Sequence, residues 1–374
     1  MGLFLPIFLY EIFEFELKYV LFYYIARFGI YGLTVALGAQ YLNKIGLKRS
    51  LRLSMIFIFA FYGVLYYIDR IYQESESLIS EHPLELLILM SIATMLIILR
   101  SIMYWIPFHT DFSKFTNKNN RAKQISLLSI SETTIKTGAP LVAGWILTAY
   151  NYDILFLIVI FISISSAIPL AKLPRTRERF VWSYSKTWRE FLSKERRDTI
   201  LAYMGDGAEK AIGLIIWPIF MWKVLEGDYL KLGIISSAVV AVTIILQLLI
   251  GNLTDKAKDR KDKMLEYGSI FYSIGWIIKI FVATAFHVFA TSIYHSISKI
   301  FYRTPFDTLT YEKAAEQGHL VDEYTVLHEM AATFGKTIML TAVLFATFFV
   351  GIEYTFMFAA IAALSLNLLT KVHT

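Results

Sequence analysis

Ionisable residues that interrupt long apolar runs are the places in this sequence where chemistry could be done. The densest is the stretch GDGAEKAIG, Gly205–Gly213, which holds Asp206, Glu209 and Lys210. Asp206 and Lys210 stand one helical turn apart, share a face and can ion-pair. Two readings fit: a proton- or solute-binding site in which Lys210 tunes a carboxylate, or a cluster close to the water interface that is simply solvated. Glu132 and Lys136 form a second i, i+4 pair in the favourable order. Glu329, beside His328 and followed by Lys336, repeats Glu132, since each acid precedes a glycine (Gly138, Gly335) by the same spacing. A recurring acid can carry a proton. It can also brace neighbouring helices, here by pairing with Arg100 and Lys299, and bracing is the expectation. His295 and Lys299 lie one turn apart; histidine titrates near neutral pH and suits proton coupling, yet a lone histidine in a membrane more often donates an interhelical hydrogen bond. Arg27 falls near the middle of an apolar run, where it would hold an anionic solute or reach into a cavity. An ion at the centre of such a run costs roughly 2.5–3.5 kcal/mol on insertion scales, so these groups face a bundle interior or a water-filled space.

The elements that position them are long apolar helices. Of 374 residues 56% are hydrophobic and 18% charged, and the charges gather between apolar runs. Each run of roughly 20 residues is long enough to cross a bilayer as a helix. Spans are expected at 17–42, 51–73, 84–107, 123–150, 152–172, 199–225, 229–253, 263–286, 287–306, 321–350 and 352–371, about eleven by that criterion, with a short apolar stub before them. The fold class is therefore all-α, polytopic and membrane-embedded; nothing alternates with the period of a barrel strand. The start, MGLFLPIFLYEIFEFEL, lacks a basic region and a small-residue cleavage site, so no secretory leader is expected. A net charge of +6 with basic residues mainly on one set of loops follows the positive-inside pattern and argues against nucleic acid as a partner. Without cysteine there is neither a disulfide nor a thiolate metal site, and no metal is expected. The 23 Tyr, 29 Phe and 7 Trp are expected mainly at lipid and interface rather than in a ligand cage.

The chain repeats itself. LPIFLYEIFEFELK (Leu5–Lys18) aligns with WPIFMWKVLEGDYL (Trp217–Leu230), and Pro6 and Pro218 stand 212 residues apart, as do Asn43 and Asp255. Further on, Pro107 in YWIPFHT matches Pro305 in FYRTPFDT. The repeat divides the chain into a first bundle (1–172), a connector (173–198) and a second bundle (199–374). By the same offset Met1 aligns with Gly213, so 199–212 has no counterpart and the first span is expected to be truncated. Arg27 has no symmetric partner, Val239 standing opposite.

The loop GNLTDKAKDRK (Gly251–Lys261), with Asp255, Lys256, Arg260 and Lys261, resembles the signature loop of major facilitator superfamily transporters. A weaker copy holds Asn43, Lys44, Lys48 and Arg49. Arg100 stands where many members carry an arginine in a second motif, although the usual glycine after it is missing. The resemblance implies two six-helix bundles joined by a cytoplasmic connector. It also implies loops that gate: the acid caps a helix of the opposite half, and the cations brace neighbouring spans. Asn43 replaces the acid, which predicts a weaker latch on that side. The connector reads as a basic amphipathic surface helix, with Thr187 and Glu190 at capping-box spacing and Trp188, Phe191 and Leu192 on one face. The reading is a multi-pass transporter of the cell inner membrane with connector and C-terminus cytoplasmic. It moves a small solute, in either direction, by rocking two bundles, coupled to an ion gradient (H+ expected), with no cofactor, as a monomer. A transporter remnant acting as sensor or scaffold, and an intramembrane enzyme, are the alternatives. No nucleotide-binding or hydrolase motif stands in a suitable context.

Overall fold

The computed structural model describes residues 2–75, 77–115, 121–171, 180–255, 261–316 and 321–373. No strand occurs among them; the chain is a succession of helices, the form in which a backbone in hydrocarbon satisfies its own polar groups. In chain order these are α1 (Leu5–Ile12), α2 (Leu17–Ile45), α3 (Leu47–Glu74), α4 (Leu78–Glu81), α5 (Pro83–Phe115), α6 (Arg121–Ala149) and α7 (Tyr152–Ala171). The connector carries α8 (Tyr184–Phe191). Then come α9 (Arg197–Ala211), α10 (Trp217–Val224), α11 (Tyr229–Asp255), α12 (Lys261–Lys279), α13 (Ala285–Glu316), α14 (Val321–Ala346) and α15 (Phe356–Ser365).

Among the described residues six stretches are long and apolar enough to cross a bilayer: Leu17–Ile45, Leu47–Glu74, Pro83–Phe108, Tyr229–Leu246, Asp322–Ala346 and Ile352–Thr370. The expected spans on α6 and α7 lie partly outside the described residues, within which their apolar stretches are Thr137–Ala149 and Tyr152–Ser166; α9, α12 and α13 carry ionisable residues of the second half. The ends also move: α5 and α13 continue past the expected stops at 107 and 306, because Pro107 and Pro305 sit inside their helices rather than ending them. A proline removes one helical hydrogen bond, and neighbouring helices tolerate this in a membrane bundle.

The repeat is visible in backbone geometry. The helix pairs α1/α10 and α2/α11 begin 212 residues apart, and so do their connecting turns. Glu14 and Phe15 have φ of 54° and 62°, Glu226 and Gly227 of 58° and 80°. The Phe15 N–H donates to the Tyr10 carbonyl at 2.8 Å and the Gly227 N–H to the Trp222 carbonyl at 2.9 Å. Glycine takes the left-handed conformation freely; Phe15 adopts it at a cost of roughly 1–2 kcal/mol. Its ring stacks on Trp222 at 6.0 Å, an offsetting contact between the two copies of the turn. Packing repeats as well, since α3 lies on α5 and α7 as α12 lies on α13 and α15.

The halves meet chiefly along two helix pairs, α2 with α14 and α6 with α11, with α5–α14 and α1–α10 contacts beside them. The α6–α11 pair depends on small residues: a Cβ on Gly144 would lie 2.4 Å from the Tyr229 carbonyl oxygen, and one on Gly233 2.5 Å from that of Pro140. Within the second half α9 and α14 cross equally closely, Gly207 against Ala332 and Gly335 against Met204. Such contacts bring helices together where water supplies no driving force.

Candidate functional site

Between α9, α11, α12 and α13 lies a half-open cavity of about 360 Å³. Its shape begins with Pro218. Proline has no N–H to give the carbonyl one turn back and crowds it; Ile212–Ile216, just before it, form a π-helical turn between α9 and α10. Such turns recur at functional sites. This one sits between Lys210 and Trp217, both of which line the cavity.

The Asp206–Lys210 pair expected from spacing forms, at 2.5 Å, and Asp206 is fully buried. Burial excludes the solvated-cluster reading. The second Asp206 oxygen accepts from Arg303 at 2.7 Å, and Arg303 in turn binds Asp307 at 2.9 Å. Two i, i+4 pairs on α9 and α13 thus close into a quartet of two acids and two bases. Arg303 and Asp307 went unremarked in the sequence, where FYRTPFDT served only to align Pro305. Their spacing was the available signal.

Glu209, also buried, accepts from the Tyr272 hydroxyl at 2.5 Å, while its other oxygen has no hydrogen-bond partner. His295 packs on Tyr272 and Trp276, with ring centroids 4.1 and 4.6 Å away, in space left by Gly275, and its Nδ1 is unpartnered. Lys299 lines the same cavity one turn further along α13. Lys279, the last residue of α12, was not singled out by the sequence. It is 2% exposed, and its ammonium lies 4.1 Å from the ring centre of Trp217 and 3.9 Å from that of Trp276. The aromatics expected at the lipid interface thus supply two walls of the cavity. Val239, the counterpart of Arg27, lines it too.

A second group gathers where α2 meets α14. Glu329 pairs with neither Arg100 nor Lys299, as bracing would require, but accepts from the Tyr31 hydroxyl at 3.1 Å. The antiparallel α2–α14 contact sets Tyr31 opposite the acid, while Arg100 lies over its own helix's Tyr104 at 4.3 Å. Arg27 and Lys336 flank the Phe28 ring at 5.4 and 5.0 Å. No carboxylate is within ion-pairing distance of Arg27, Arg100 or Lys336 among the described residues. His328 packs edge-on against Tyr203. Glu132 and Lys136 lie on α6, but their side chains are outside the described residues.

The loop residues act otherwise than expected. Asn43 caps no helix. Its amide nitrogen donates to the Phe180 carbonyl at 2.8 Å and its oxygen accepts the Phe180 N–H at 2.9 Å. Gln40 donates to the Trp182 carbonyl, and the Val181 N–H donates to Glu323, at the start of α14, at 2.7 Å. An extended piece of connector, with Phe180 and Trp182 buried, is thereby pinned to both halves. Arg196 extends the tie, binding Glu190 at 2.9 Å and lying over Tyr324. The N-cap of α8 is Ser183, which accepts from the Lys186 N–H, so Thr187 and Glu190 form no capping box. Trp188 and Phe191 pack on Phe334 of α14, whereas Leu192 is exposed because the helix ends before it. Lys44 ends α2 and Lys48 and Arg49 begin α3. In the stronger motif copy Gly251 and Asp255 close α11 and Lys261 opens α12, with side chains outside the described residues; Lys256 and Arg260 lie outside them altogether.

No family model and no curated protein matches the sequence. Solved structures share its fold. A peptide transporter, POT, in complex with sulfate superposes with a TM-score of 0.71 at 11% identity, covering 100% of this chain and 90% of that one. A POT family transporter in complex with 5-aminolevulinic acid gives 0.65 at 11% identity, over 99% and 91%. A bacterial metal transporter gives 0.62 at 15% identity, over 99% and 93%. The chain is a multi-pass helical membrane protein with a transporter fold.

Proposed function

We propose that this chain is a secondary transporter of the major facilitator type, carrying a small solute by alternating access. The residues 1–172 and 199–374 are the two bundles that rock, and the connector ties them. The observation that carries this reading is the cavity itself: buried acids and bases from three helices converge on space for a small molecule, where each uncompensated ion is costly. The quartet of Asp206, Lys210, Arg303 and Asp307 holds charge in fixed ion pairs and brackets no reacting bond, which suits binding and release rather than catalysis. Glu209 is the candidate proton carrier, since it lines the cavity and one of its buried oxygens has no hydrogen-bond partner. The basic loops put the connector end in the cytoplasm of an inner-membrane protein, and no contact calls for a second copy.

The test is uptake into proteoliposomes of a pooled set of labelled metabolites under an imposed proton gradient. Uptake of at least one solute, abolished in Glu209→Gln while exchange of that solute across the membrane persists, supports the reading. Gradient-independent uptake that Glu209→Gln leaves unchanged removes the coupling, and no movement by folded protein removes the transporter.

A further inference from the structure

The charges around the cavity do not balance. Asp206, Lys210, Arg303 and Asp307 form a neutral quartet, leaving Glu209 as the single carboxylate facing Lys279 and Lys299. Neither lysine makes an ion pair or a hydrogen bond among the described residues. Lys279 ends α12, where a lysine would ordinarily reach the last carbonyls and water. Instead its side chain is almost wholly withdrawn and held between two indole rings, opening on the cavity. A buried ammonium with only aromatic faces around it lacks one negative charge. Three residues of the cavity lining carry buried polar atoms without a hydrogen-bond partner: Glu209 Oε2, His295 Nδ1 and the Trp276 indole nitrogen. Buried polar groups in native proteins are nearly always satisfied, so three such atoms in one lining depart from the usual pattern. Near the α2–α14 contact Arg27, Arg100 and Lys336 lie over aromatic rings, with no carboxylate at ion-pairing distance among the described residues.

We infer that the cavity takes a small organic monoanion, its acidic group between Lys279 and Lys299 and its apolar body against Trp217 and Trp276. This rests on the transporter reading only for the statement that the anion is cargo; the binding site stands on its own geometry. A cationic solute would meet two lysines and one carboxylate, and a neutral one would leave the buried ammonium of Lys279 uncompensated; Lys299 is the more exposed of the two lysines.

Benzoate, benzenesulfonate and butyrate serve as monoanionic probes, with benzamide and benzylamine as neutral and cationic counterparts of the first. Binding is read from tryptophan fluorescence of the purified full chain, since Trp217 and Trp276 form the site, and transport from counterflow of labelled probe in proteoliposomes. The expected result is saturable binding of at least one monoanion. It should weaken about tenfold or more in Lys279→Gln and be retained in Lys279→Arg, because a charge-assisted hydrogen bond is lost in one and kept in the other. A melting curve for each variant separates lost binding from lost fold. In Trp276→Phe, which keeps the lysine, affinity should fall without a change in preference for the anion. Benzylamine or benzamide binding as tightly as the monoanions, no saturable signal from any monoanion, or indifference to Lys279→Gln overturns the inference. Saturable monoanion binding without counterflow leaves the site standing and refutes the transporter. Counterflow of a neutral or cationic probe that Lys279→Gln does not touch does the reverse.

Discussion

At the scale of single residues the fold is held at its most charged point by one carboxylate. Asp206 is fully buried and serves two cations, Lys210 and Arg303, from separate helices. Removing one partner of a buried ion pair costs about 3–5 kcal/mol because the other charge stays behind. Asp206→Asn should therefore lower the detergent melting temperature clearly. Adding Lys210→Met to it should restore part of the loss by removing a stranded cation. If the double variant melts no higher than the single one, the quartet is not what stabilises this region. The site was half legible at this scale. Asp206 and Lys210 announce themselves by helical spacing, but Arg303 reaches Asp206 only because α9 and α13 flank the same cavity. Nothing in sequence spacing sets Lys279 against Trp217 and Trp276.

At the scale of elements the contacts that decide are close crossings and the pinned connector. Gly335 approaches the Met204 backbone so closely that any side chain must push α14 from α9. Gly335→Leu should misfold or destabilise the protein strongly, while Gly138→Leu on α6, where no atom lies within 4 Å of an added Cβ, should be tolerated. Comparable expression and melting of the two would contradict the packing described. Asn43 both donates to and accepts from Phe180, which an aspartate cannot do. Asn43→Asp should therefore loosen the connector, read as faster proteolysis or hydrogen exchange at 180–182; an unchanged rate would mean that Gln40 and Glu323 suffice. The sequence expected the opposite, that an acid here would tighten the latch, because the resemblance implied a helix end as its partner. Long apolar runs and the 212-residue repeat located α2 and α11 at their start and located the turns before them. The end of α8 eluded reading because Ser183, Thr187 and Glu190 all fit a cap pattern, and tertiary packing on Phe334 chose among them.

At the scale of the whole molecule the two halves repeat one arrangement and meet along α2–α14 and α6–α11. The ends are tied differently. At the connector end Phe180–Trp182 bridges Asn43 and Glu323. At the other end Glu11 accepts from the Tyr229 hydroxyl, and Phe15 stacks on Trp222. The proposed rocking of the two halves would loosen one set of ties as the other tightens. The chain has no cysteine, so labels can be placed on it without background. Spin labels at Lys44→Cys and Lys263→Cys report on the connector end, and labels at Leu84→Cys and Phe286→Cys on the other, all four being exposed positions. Glu11→Gln, which weakens the tie to Tyr229, should shift the distribution at both ends. The most direct measurement is the pair of distance distributions in bilayers, with and without a solute that the protein binds. We expect the two distances to change in opposite directions, one end closing as the other opens. Distances that stay fixed, or that lengthen together, would contradict alternating access.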